Sequence, residues 1–190
     1  LAYCFKEFGT DILLQKKKIN TATYLKLPYT FTKIKTAIKK RLAEQKYVFT
    51  FQTQSLFDAS VPGIPHFVYT DNTYLANLKY PGFDSQNLPS KTWLKYEKSI
   101  YQNATLNFTM SSNISQSMIE DYACNSNKIA CVYCGANVQA KQDETFNDQR
   151  FSTQNILFVG VEWERKGGPV LVEAFKKVLK THPNATLTIV

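Results

Sequence analysis

Asn155-Ile156-Leu157-Phe158-Val159-Gly160, followed by Val161-Glu162-Trp163-Glu164-Arg165-Lys166-Gly167-Gly168 and, after a helical segment, by Ala185-Thr186-Leu187-Thr188-Ile189-Val190, is the stretch that decides the fold. Its first six residues form the continuous apolar run expected of a strand buried on both faces of a parallel sheet. Leu171, Ala174, Phe175, Val178 and Leu179 recur at three and four, which predicts an amphipathic helix over 167–181. The closing β-branched run is a second strand. Strand, helix and strand with a crossover of this length make a βαβ unit.

In open α/β sheets ligands sit beyond the carboxyl ends of the strands, and the loop from Gly160 to Gly168 lies at such a place. The first turn of the helix is expected to expose unpaired N–H groups and a partial positive charge. Arg165 and Lys166 add cations, and two glycines let an anion approach the backbone. A phosphate group held by Gly160, Arg165, Lys166 and Gly167 fits this pattern. The same residues also read as a surface turn in which Arg165 pairs with Glu162 or Glu164. The spacing is neither Gly-x-Gly-x-x-Gly nor a P-loop, so it supports neither a dinucleotide site nor a phosphate-hydrolysing one.

Working back from that unit, 138–154 loses hydrophobic periodicity and becomes polar, marking a linker between a first domain (1–137) and a second (155–190). The first domain repeats the alternation of strand and helix. Ile34, Ile38 and Leu42 give a helix from Phe31 to Leu42 with lysines between them. Tyr47–Phe51 and His66–Thr70 read as strands separated by a loop through Pro62, Gly63 and Pro65. Trp93, Tyr96, Glu97, Ile100 and Tyr101 have helical spacing, and Ala104–Met110 is a strand. Ser111 or Ser112 caps a helix carrying Ile114, Met118, Ile119 and Tyr122, before a strand from Lys128 to Cys134. Asp71 and Asn72 follow the His66–Thr70 strand, where they either contact a ligand or form an Asx turn.

The 190 residues, 44% hydrophobic and 14% aromatic, suffice for a packed core. No apolar run approaches the roughly 18 residues of a spanning helix, and the start lacks the layout of a signal peptide, so the chain reads as soluble. The chain begins at Leu1 and stops inside a strand pattern at Val190, which reads as a fragment lacking sequence at both ends. The net charge of +8 is local: residues 1–50 hold eleven Lys/Arg against three Asp/Glu, and residues 51–190 hold twelve of each. Such a block is either a solvated helix face or a surface attracted to a polyanion. No aromatic-stacking pattern surrounds these lysines, so nucleic acid is not expected and anionic membrane lipid is the better partner. Cys131 and Cys134 lack a second ligand pair, and three residues apart on a strand they diverge; the four cysteines are expected buried and unpaired, with no metal. The sequons at Asn103, Asn107, Asn113 and Asn184 carry little weight without a signal peptide.

The run Phe158-Val159-Gly160-Val161-Glu162-Trp163-Glu164-Arg165-Lys166-Gly167-Gly168-Pro169, with Leu171-Val172-Glu173-Ala174-Phe175, resembles the start of the donor domain in family 4 (group 1) retaining glycosyltransferases. His66–Asp71, Glu97-x-x-x-Tyr101-x-x-Ala104, Met110-Ser111 and Gly135-Ala136-Asn137 recur in the same order in that family, so the resemblance covers roughly residues 47–190. It implies an α/β chain of GT-B-like fold: an incomplete Rossmann-like N-terminal, acceptor-side domain, then the first βαβ unit of a Rossmann-like donor domain, the two facing across a cleft. The implied activity is transfer of a hexose from a nucleoside-diphosphate sugar to a sugar, lipid or protein acceptor with retention. No cofactor beyond the donor substrate and no metal is implied. Lys166 matches the lysine of the family's Lys-Gly motif and Arg165 is its helper, while Asp71 and Asn72 are the catalytic-side candidates. The family commonly has an arginine after the strand-ending glycine, where this chain has Val161, and a histidine in the loop occupied here by Asp71, Asn72 and Thr73. Its Glu-x7-Glu motif and N-terminal glycine-rich loop do not occur in these residues, so the chain alone is expected to be inactive. The implied location is cytoplasmic, with peripheral contact at the inner face of the membrane through residues 1–50. The alternative is a non-catalytic α/β protein that binds a polyanion or membrane surface through those residues.

Overall fold

The computed structural model describes residues 2–14, 24–80, 82–135 and 152–190. Two compact units are present, Leu1–Gly135 and Ala136–Val190. The first contains helices α1 (Ala2–Leu13) and α2 (Pro28–Leu42), strands β1 (Thr50–Thr53) and β2 (His66–Thr70), helix α3 (Lys91–Asn103), strand β3 (Leu106–Thr109), helix α4 (Ser112–Glu120) and strand β4 (Ile129–Cys131). The strands form one parallel sheet in the order β1-β2-β3-β4. This is a Rossmann-like α/β arrangement in the general sense.

Local sequence accounts for most of these elements. Pro28 opens α2, where its fixed φ suits a helix and its missing N–H costs nothing. The Ser90 hydroxyl accepts from Trp93 N at 3.2 Å to cap α3, and Ser111 accepts from Ile114 N at 3.4 Å to cap α4. Trp93, Glu97, Ile100 and Tyr101 form the buried stripe of α3, and Ile114 and Met118 that of α4. With Val68, Ala76 and Tyr122 they make the core, to which Phe31 of α2 adds an edge-on contact with Trp93 (5.8 Å) and a stack on Tyr96 (4.5 Å).

Because strand side chains alternate, Gln52, Val68, Thr70, Asn107 and Thr109 are buried while Phe51, Phe67, Tyr69 and Phe108 occupy the other face. Phe67 and Phe108 stack at 6.1 Å, and Phe51 lies 6.4 Å from both Tyr69 and Phe108. The buried face is therefore the more polar one. Gln52 on this face is bonded to the loop that follows β1: it donates to the carbonyls of Gln54 and Phe57 and accepts from Ala59 N.

Every strand but β2 differs in its bounds from the sequence pattern, and β1 and β4 differ most. β1 starts at Thr50 because pairing begins at Thr50 with His66, leaving Val48 exposed. β4 stops at Cys131 because Tyr133 turns into the left-handed region at φ 60°. That turn corrects one expectation about the cysteines: Cys4 and Cys124 are buried, whereas Cys131 is half-buried and Cys134 exposed, all four being free thiols.

The second unit pairs β5 (Asn155–Phe158) in parallel with β6 (Thr186–Ile189) around helix α5 (Gly168–Val178). The expected burial of β5 on both faces is not seen; Leu157 is 64% exposed, because among the described residues this sheet has two strands and one helix. Of the polar linker, residues 138–151 lie outside the described residues. No helix among the described residues is long and apolar enough to cross a membrane.

Candidate functional site

At the carboxyl ends of β1 and β2 lies a cavity of about 310 Å³. Gln54, Ser55 and Leu56 form one wall, Asp71, Asn72, Thr73 and Tyr74 the other, and Glu97 of α3 closes it. The walls are shaped by the backbone. Gln54 adopts φ 70° and donates its N–H to Tyr69 O at 2.9 Å, bending the chain off β1. Its side-chain amide donates to Asp71 Oδ1 at 3.0 Å, joining the walls at the exposed rim. The turn after β2 is made by Thr70, whose hydroxyl donates to Asn72 O at 2.8 Å. Asp71 thus uses its carboxylate on Gln54. Asn72 donates to Asn77 Oδ1 at 3.1 Å, and its own Oδ1 is buried with no donor among the described residues.

Glu97 joins the walls from inside. Its side chain is fully buried. Oε1 accepts from Ser55 Oγ at 3.1 Å, from Tyr74 N at 3.2 Å and from Tyr101 OH at 2.9 Å, while Oε2 accepts from Tyr122 OH. Tyr122 OH accepts in turn from Leu75 N at 3.1 Å. Burial raises the Glu97 carboxyl above its ordinary value against the opposing pull of these donors. Burial, reinforced by the Glu97 charge, pushes Tyr74 up to about 12. Lys26 stands over the Tyr74 ring, 4.6 Å from its centroid, and burial lowers its ammonium group while Glu97 opposes that shift.

Sequence reasoning singled out Asp71 and Asn72 here but not Gln54, Ser55, Tyr74, Tyr101 and Tyr122. One signal was present: Glu97 occupies a buried position on an otherwise apolar helical stripe, with Tyr101 one turn later. A carboxylate there requires donors. Which residues supply them depends on contacts 25 and 42 positions away in sequence, and these no local pattern reveals.

The second unit carries the loop Gly160–Gly168. Gly160 N donates to Val190 O at 3.1 Å, fixing the loop to the end of β6. A Cβ built on Gly160 would meet the Phe158 ring at 3.3 Å and Lys166 Cγ at 3.5 Å, so the Lys166 stem passes across Gly160 at the carboxyl end of β5. Lys166 is exposed and makes no side-chain hydrogen bond or ion pair among the described residues. Arg165 differs, since its guanidinium pairs with Glu162. Val161 is exposed.

The glycine pair has a specific structural basis. Gly167, the residue before α5, lies in the left-handed region at φ 81°, which glycine tolerates without cost. A Cβ on Gly168 would overlap the Trp163 indole, itself edge-on to Phe158 at 5.7 Å. The backbone amides of Lys166, Gly167 and Gly168 donate to the carbonyls of Glu162, Glu164 and Trp163, and Pro169 has no N–H. Three of the amides that the sequence pattern offers to an anion are thus already engaged within the loop. The charge available to a ligand is that of Lys166 together with the positive end of α5.

Elsewhere, Lys33, Lys39, Lys40 and Arg41 on α2 are exposed, while Lys35 pairs with the buried Asp58 at 2.5 Å. No group of three or more His, Cys, Asp or Glu residues arranged to hold a metal ion occurs among the described residues. Comparison with protein-family models and with curated proteins finds no match.

Proposed function

We propose that this chain is part of a retaining glycosyltransferase of GT-B type, which moves a sugar from a nucleoside-diphosphate donor to an acceptor. The observation that carries the reading is Lys166: an uncommitted, exposed lysine crossing Gly160 at the end of β5, beside the N-terminal end of α5. Cleavage of the donor's anomeric C–O bond leaves negative charge on the diphosphate, and a lysine plus a helix dipole stabilise that charge. Arg165 is a weaker helper, because it must leave Glu162 to reach a phosphate. Under this reading Gly160 gives the lysine room, Gly167 starts the helix, and Asp71 and Asn72 act on the sugar or acceptor side. The donor is a substrate; no cofactor is required.

Titration of UDP or GDP, followed through the amide resonances of Gly160–Gly168, tests the assignment. Lys166→Ala is expected to weaken binding roughly 10-fold, the worth of one charge-assisted contact at an exposed site. Arg165→Ala is expected to change it less. Unchanged affinity in Lys166→Ala removes the assignment.

A second reading, attachment to an anionic membrane surface, draws on the exposed cations of α2. Its sign is salt-dependent co-sedimentation with phosphatidylserine vesicles. Equal sedimentation with neutral and anionic vesicles leaves these lysines as solvated surface.

A further inference from the structure

We propose that the buried carboxylate of Asp58 exchanges partners with pH: Lys35 of α2 holds it while His66 is neutral, and His66 takes it once protonated, so that acidification frees the C-terminal half of α2 from the sheet. This device lies at the amino ends of the strands, away from the cavity, and does not rest on the glycosyltransferase reading.

His66 opens β2 and is 1% exposed. Its Nδ1 lies 2.7 Å from Thr50 Oγ1 on β1, and its backbone N–H donates to Thr105 Oγ1 at 3.0 Å. Nε2 is buried with no hydrogen-bond partner among the described residues. A neutral imidazole tolerates that place as an unprotonated nitrogen, whereas an imidazolium brings a second N–H that demands an acceptor. The charges that act on the ring are Asp58, in the loop between β1 and β2, and Lys35 on α2. Asp58 is fully buried. Its Oδ1 accepts from Ser60 N at 2.9 Å, and its Oδ2 accepts from Lys35 Nζ at 2.5 Å and from Asn103 Nδ2, at the end of α3, at 3.0 Å. One buried carboxylate thus serves two bases.

Charge counting decides which base leaves. With His66 neutral, Lys35 and Asp58 cancel. With His66 protonated, the group holds two cations and one anion, and the excess charge is costly where water is excluded. Lys35 is the base that can go: its side chain is 40% exposed and ends a flexible stem, while His66 is enclosed between Thr50 and Thr105. Its departure matters because α2 is anchored at its start, where Leu27 and Phe31 are buried. None of residues 36–42, all of them described, is buried. The freed half carries Lys39, Lys40 and Arg41, so presentation of the chain's basic block becomes pH-dependent.

The direction follows from linkage. Burial lowers the His66 imidazole below its ordinary value of about 6.5, with Asp58 opposing and Lys35 reinforcing the shift. The folded state therefore takes up this proton at lower pH than the unfolded chain does, and stability is lost as pH falls from about 6.5 toward the folded value. Asp58 stays ionised through that window: burial pushes its carboxyl up, and Lys35, Ser60 and Asn103 outweigh it.

The test follows the chain's two histidines by NMR, with the exposed His182 as internal reference, together with amide exchange of α2. His66 is expected to titrate below His182. Lys35→Met removes the competing cation and should raise the proton affinity of His66 roughly 10-fold. Between about pH 7.5 and about pH 5, protection of the amides of residues 37–42, corrected for intrinsic exchange, should fall about 10-fold relative to α4. That fall should vanish in His66→Gln, and in Lys35→Met the same amides should be poorly protected at both pH values. Should His66→Gln fail to fold, Lys35→Met carries the test. A His66 titration that Lys35→Met leaves unmoved overturns the proposal, as does equal protection of residues 37–42 at the two pH values. A fall shared in full by α4 also overturns it, because it reports loss of the whole unit rather than release of α2.

Discussion

The cavity of the first unit and the loop of the second both lie at the carboxyl ends of parallel strands, yet they are held by opposite means. The cavity is organised from within, by a buried carboxylate that gathers four donors from α3, from the two loops and from the residues after α4. The Gly160–Gly168 loop is organised by its own backbone, three amides returning to carbonyls three to five positions earlier, with a tryptophan seated on a glycine. One site is tertiary, with a buried anchor beneath an exposed rim; the other is local and exposed.

The largest expected effect follows from removing the buried anchor. Glu97→Ala leaves Ser55, Tyr74 N, Tyr101 and Tyr122 without their acceptor, and a loss of about 3–5 kcal/mol is expected from the urea midpoint. Gly168→Ala comes next. The new methyl group overlaps the Trp163 ring, and a loss of about 1–3 kcal/mol, confined to the second unit by amide exchange, is expected. Trp163→Ala in the same chain should recover part of it, whereas no rescue would show that the indole is not the obstacle.

A third experiment separates the two buried carboxylates of the first unit by pH. Burial pushes Asp58 upward, but Lys35, Ser60 and Asn103 outweigh it and leave its carboxyl below the usual range. Its contribution is present above the unfolded-state value and disappears as pH falls through the lower folded one. Glu97 is raised, so its ionisation opposes folding, and stability is gained as pH falls through its folded value. Asp58→Asn should flatten the acid limb of a stability–pH curve, and Glu97→Gln should remove the gain at the higher-pH end. The smallest structural effect belongs to Lys166→Ala, which should move the unfolding midpoint by no more than about 0.5 kcal/mol while weakening nucleotide binding. A large destabilisation there would mean that the lysine stem supports the loop rather than a ligand.

The same contrast explains what could be read beforehand. Strand β2 was legible to the residue because His66–Thr70 is a β-rich run flanked by turn residues, and α4 because Ser111 or Ser112 could cap it. The glycines at 167 and 168 were legible as a pair that lets an anion approach the backbone. Their reasons were not, since the seat of Trp163 on Gly168 and the amides folded back onto Glu162, Glu164 and Trp163 are matters of three-dimensional closure. In the cavity, Asp71 and Asn72 were found because they follow a strand, whereas Ser55 and Tyr122 were missed because the carboxylate they share lies far from them in sequence. β5 was read as buried from hydrophobicity alone; what covers a strand is a property of its neighbours.

The seat of Trp163 also has an optical consequence. The chain contains two tryptophans, and each compact unit holds one: Trp93 buried in the first and Trp163 seated on Gly168, in the loop that also carries Lys166, in the second. Replacing either with phenylalanine leaves a single tryptophan among the eleven tyrosines, so indole emission from Trp93 follows melting of the first unit alone. Emission from Trp163 follows the second, and a nucleotide drawn to Lys166 would quench it or shift its colour without touching the other signal.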